Sequence, residues 1–165
     1  MDKWLGLVGA ITGVLSFVMS IAAFRRTGML KAADLTVEIL KRRNRLAIEA
    51  PALLPHLDLA DRSRKAVASA KGIRQSGAMT LWNQAFQADR ALAVLLTQQA
   101  EKAAEPSRKD SVATLTQLLA TTDLLLERII SLRSKYAATI AADDIDRDRI
   151  ADFQNQVAVS VATKR

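Results

Sequence analysis

From Trp4 to Phe24 the chain runs 21 residues without a charge, and Arg25-Arg26 follow at once. At about 1.5 Å rise per residue, a helix of that length is about 31 Å long, close to the hydrocarbon thickness of a bilayer. Ten of the 21 are Leu, Ile, Val or Phe, which together favour insertion by roughly 3–6 kcal/mol. The run therefore predicts a single transmembrane anchor over residues 1–26. Trp4 and Phe24 stand at its two ends, with Arg25 and Arg26 as the basic stop. A cleaved leader fits less well, because the residues before the run are barely basic and two arginines would directly follow the cut.

Small residues recur along this segment at Gly6, Gly9, Gly13, Ser16 and Ser20, with spacings of 3, 4, 3 and 4. That rhythm puts them on one helical face, where small side chains let two backbones approach closely in lipid. A homo-oligomer through the anchor is the expectation. The flanks set its orientation. Only Asp2 and Lys3 carry charge before it, whereas Lys31, Lys41, Arg42, Arg43 and Arg45 follow the arginine pair. The positive-inside tendency then places the C-terminal domain in the cytoplasm, at the cell membrane.

Net charge is +7, and it is unevenly placed. Residues 25–74 hold 12 Lys/Arg against 5 Asp/Glu, while residues 75–165 hold 11 of each. The domain 27–165 thus divides into a basic proximal half, 27–74, and a charge-balanced distal half, 75–165. Lys41, Arg42, Arg43 and Arg45 are the residues expected to meet an anionic lipid leaflet. Nucleic acid is disfavoured, because the basic stretch lacks interleaved aromatics and any recognisable binding motif.

Behind the anchor the pattern is helical throughout. Gly28, Pro51 with Pro55, Gly72 with Gly77, and Pro106 punctuate it, and no strand or hairpin signal interrupts it. Residues 29–50 read as an amphipathic helix, and Pro51 to Pro55 as a turn. A helix over 57–71 follows. Residues 78–104 form a helix so apolar that it belongs at the centre of a bundle, with Asn83, Gln84, Gln87, Asp89 and Arg90 excluding a second span. From Val112 to Ile140 a seam of Val112, Leu115, Leu119, Thr122, Leu126, Ile129, Arg133, Tyr136 and Ile140 repeats every three or four residues. Asp143 and Asp144 read as the cap of a last helix carrying Ile150, Phe153, Val157 and Val161. The expected fold is all-α: one N-terminal transmembrane helix, then an antiparallel bundle of four to five helices.

Chemistry is hard to build from these residues. There is no Cys, hence no disulfide and no thiolate site, and His56 is the sole histidine. Asp144, Asp146 and Asp148 alternate like the start of an EF-hand. Arg149 then stands where the loop needs Gly, and Asn155 where it needs Glu. No Ser lies in a nucleophile elbow, and no pair of carboxylates has a defensible acid–base spacing. The sequence thus predicts no catalytic residue, no cofactor and no metal. It reads as a membrane-tethered helical adaptor or structural protein, acting through contacts with an unidentified protein partner. A membrane-active effector or small oligomeric pore is the alternative, and a sensory bundle ranks third.

Overall fold

The computed structural model describes the backbone of residues 2–107 and 109–162, and the side chains of 19–20, 26–107 and 109–160. Three helices account for it: α1 (Asp2–Ala70), α2 (Gly77–Glu101) and α3 (Val112–Ala162), with no strand among the described residues.

Local chemistry explains where they stop and start. Gly72 has φ +70, and the residues around it close α1 with two reversed hydrogen bonds, Ile73 N to Ala68 O at 2.9 Å and Gly72 N to Ser69 O at 3.1 Å. This is the Schellman arrangement, in which a glycine takes the left-handed position that a Cβ disfavours. Ser76 caps α2 by accepting from Met79 N. Ser111 caps α3, its hydroxyl accepting from Thr114 N at 3.1 Å.

The contacts divide the chain into two units, residues 1–42 with 104–121, and residues 43–103 with 122–165. Among the described residues of the first, Ile39 and Leu115 are buried. Met29, Ala33, Val37 and Leu115 line a groove of about 370 Å³ there.

The second unit is a three-helix bundle. Glu49 and Arg64 on α1, and Lys71 just past its end, pair in that order with Arg133, Asp143 and Asp146 on α3, so these two helices run parallel. Ala50, Asp58 and Asp61 meet Thr97, Arg90 and Trp82 in reverse order, so α2 runs antiparallel to α1. Its core holds Leu46, Leu53, Leu57, Phe86, Ala93, Leu96, Leu126, Ile129 and Tyr136.

Three helices replace the four to five expected, and two misreadings account for the difference. Pro51 and Pro55 lie inside α1. Each removes one backbone donor, and the carbonyls left over belong to Ala47 and Pro51, both exposed residues. The helix therefore continues where a turn was expected, and Gly28 does not break it either. Asp143 is not a cap. It lies in the interior of α3, fully buried, opposite Arg64.

The transmembrane reading is also corrected. Among the described residues, no helix is long and apolar enough to cross a membrane. Over residues 26–41 of α1, Arg26, Lys31, Asp34, Glu38 and Lys41 recur at least every five residues, too often for an apolar span. In α2, Asn83, Gln84, Gln87, Asp89 and Arg90 occupy the middle. The single-pass topology and the membrane localisation drawn from the anchor fall with it. The side chains of Trp4, Gly6, Gly9, Gly13, Ser16, Phe24 and Arg25, on which that reading was placed, lie outside the described residues. Ser20 and Arg26 are described, and both are exposed.

Candidate interaction surface

α2 carries two apolar stripes about 100° apart on its circumference. The inner one, Met79, Trp82, Phe86, Ala93, Leu96 and Ala100, packs into the second unit. The outer one, Ala78, Leu81, Ala85, Ala88, Leu92 and Leu95, follows a strict 3–4–3–4–3 rhythm, and every member is exposed. Leu81 is 67% exposed, Leu95 56% and Leu92 42%. The sequence places α2 at the centre of a bundle. The structure leaves one side uncovered, because two neighbouring helices can bury only one face of a third.

A rigid frame holds that surface. Trp82, Phe86 and Tyr136 form an aromatic triad, with ring centroids 6.5 Å apart for Trp82–Phe86, 5.8 Å for Trp82–Tyr136 and 6.1 Å for Phe86–Tyr136. The last two pairs meet edge to face, the arrangement the ring quadrupoles favour. Trp82 Nε1 donates to Asp61 at 3.2 Å, and the Tyr136 hydroxyl donates to Asp89 at 2.9 Å. Lys135 also pairs with Asp89. Burial, then the Asp89 hydrogen bond, holds the Tyr136 phenol well above its ordinary value of 10.0. Arg64 lies over the Trp82 ring, 5.3 Å from its centroid, and reaches the buried Asp143 at 3.0 Å.

Beside the outer stripe, α3 presents Leu124, Glu127, Arg128 and Ser131, and the groove between the two helices has a volume of about 460 Å³. A second cleft of about 310 Å³, between Arg64, Lys71, Met79 and Trp82, is electrically balanced. Asp143 and Asp146 already answer its two cations. Lys71 holds the Asp146 carboxyl below the usual carboxylate range through their hydrogen bond.

The other residues singled out in sequence are dispersed. Lys41 and Arg45 are exposed on α1, whereas Arg42 is half-buried and pairs with Glu38 at 3.0 Å. Arg43 is also half-buried, so the four do not form one open basic face. His56 lies within α1, half-buried, and its Nε2 has no hydrogen-bond partner among the described residues. Asp144 pairs with Arg147 and Asp146 with Lys71, and no cluster of metal-ligating groups occurs among the described residues. Ile150 is half-buried, while Phe153 and Val157 are exposed on the last turns of α3. Val161 lies outside the described side chains.

Compared with known proteins, the chain matches no family model, no curated protein and no solved structure.

The sequence reading missed the outer stripe. Its signal was present, since Ala78, Leu81, Ala85, Ala88, Leu92 and Leu95 occupy alternating a and d positions of a heptad.

Proposed function

We propose that this chain is a non-enzymatic helical adaptor that works by protein–protein contact through the outer face of α2. The observation that carries the reading is the exposed stripe from Ala78 to Leu95 on a helix whose inner face is already packed. Exposed leucines scattered singly are ordinary on protein surfaces. Three leucines and three alanines in heptad register, with no charge among them, form a contiguous seam that water solvates poorly. Helix-in-groove recognition uses this kind of anchor spacing. In the second unit the pairs Glu49–Arg133, Arg64–Asp143, Asp58–Arg90 and Asp89–Lys135 each join two different helices, which suits a scaffold.

The test is a photo-crosslinking residue at Gln84, an exposed position flanking the stripe, in the full chain expressed in cells. Covalent protein adducts are expected there, but not with the same residue at Ala66, an exposed position on α1. Leu95→Asp should remove the adducts while leaving the helical circular dichroism intact. Equal labelling at the two positions would sink the reading.

A further inference from the structure

We infer that the partner seated on the outer face of α2 is a second copy of this chain, packed antiparallel about a two-fold axis between Phe86 and Gln87. This rests on the reading of that face as an interaction surface and adds the identity of what covers it. Antiparallel heptad seams pair an a position with a d position of the facing helix. Placing the axis between Phe86 and Gln87 matches Ala85 with Ala88 of the second copy at the centre. Leu81 then meets Leu92, and Ala78 meets Leu95, each pairing occurring twice. The two small residues at the centre let the backbones close in, and the leucines fill the space on either side. A seam that complements itself in this way is what an isologous interface requires.

Charge and area favour the same occupant. The chain carries +7 overall, and two copies meeting through their basic halves would repel. α2 and α3 lie in residues 75–165, where Lys/Arg and Asp/Glu balance at 11 each. α2 has 25 residues. At about 1.5 Å per residue and about 20 Å across two helices, the α2–α3 face offers roughly 750 Å², near the roughly 800 Å² per partner of a specific interface.

The absence of cysteine makes the arrangement directly testable. The purified full chain should sediment as a dimer, and Leu92→Asp should shift it to monomer. Leu81→Cys chains mixed with Leu92→Cys chains should form a disulfide between them under mild oxidation. Each variant alone should link far less, since its two cysteines would be offset by about 16 Å along the helices at 1.5 Å per residue. The cysteine variants are conservative, so they decide the matter even if Leu92→Asp unfolds the chain. A monomer at the highest soluble concentration, or self-linking of each variant as efficient as mixed linking, overturns the inference. Adducts at Gln84 that contain only other proteins would overturn it too, while leaving the adaptor reading in place. The loss of all adducts would remove both.

Discussion

Tyr136 and Asp143 show how polar groups are held in a largely apolar core. Tyr136 is 1% exposed and is the only tyrosine in the chain, so phenolate absorbance reports on it alone. Its folded-state value is raised because burial and the nearby carboxylate of Asp89 both oppose a second negative charge, with Asp61 adding to the effect. The cation facing it, Lys135, does not reverse this. A raised value means that the stabilisation is fully present below the unfolded value near 10.0 and drains away as pH climbs above it. Phenolate absorbance should therefore stay low at pH 10 and rise only with loss of helical signal at higher pH. A titration midpoint at 10 in folded protein would refute the assignment. Asp143 poses the opposite problem, a fully buried carboxylate whose counter-ion, Arg64, stays 30% exposed. Removing one partner of such a pair is costly when the survivor cannot reach water. Arg64→Ala should destabilise by about 3 kcal/mol, because Asp143 remains buried and the contact with Trp82 is lost as well. Asp143→Asn should cost closer to 1 kcal/mol, since Arg64 can turn outward to solvent. Urea denaturation of the two variants would check the order, and equal costs would show that the pair does not act in this way.

Each helix shows which sequence signals prevail when they compete. In α1 two prolines were read as a turn, yet the helix passes through both. Burial settles it: Leu46, Ala50, Leu53, Leu57 and Ala60 keep a three–four rhythm across the prolines, and all are buried. An interior proline costs about 3 kcal/mol relative to Ala, offset by up to about 1 kcal/mol through a stiffer unfolded chain. Pro51 is exposed, so its replacement leaves no cavity. Pro51→Ala should therefore raise stability by about 1–2 kcal/mol, read as a higher urea midpoint at unchanged slope. A lower midpoint would mean that the shape the proline gives α1 is itself needed for packing. In α3 the seam from Leu115 to Tyr136 was legible because heptad spacing depends on residue positions alone. The break expected at Asp143 was not, because a cap and a buried ion-pair partner share the same residue type. Only the neighbour, Arg64 on another helix, distinguishes them. α2 failed in another way. Its composition marks it as strongly apolar, but whether an apolar face is covered depends on how many helices surround it, and no window of sequence holds that number.

Across the whole chain, the composition already excluded a disulfide framework and a cysteine metal site, and Ala/Leu periodicity made the all-helical class legible. Helix count was not, since it hinged on whether prolines and aspartates ended elements or lay inside them. The reading of the first 26 residues rested on hydropathy, flanking charge and small-residue spacing, and the described helices give it no support. Burial is also unequal between the two units. Among the described residues the first contributes Ile39 and Leu115 as buried apolar side chains. The second holds the aromatic triad, the polar ladder from Glu49–Arg133 to Lys71–Asp146, and the rest of the buried apolar side chains. Local opening free energy follows buried apolar contact, because opening a segment exposes only what that segment covers. Amide hydrogen exchange should therefore be slowest over residues 43–67, 79–100 and 122–143. Residues 26–42 and 112–121 should exchange faster, although they belong to the same helices as the slow amides. The last described turns of α3 should exchange faster still, since residues 151–160 are all exposed. Such a gradient within continuous helices separates tertiary packing from helix propensity as the source of protection, since propensity alone would protect each helix evenly and fray only its ends. Uniform protection along α1 from Arg26 to Val67 would show that the helix opens as one piece and that the division into two units has no energetic meaning.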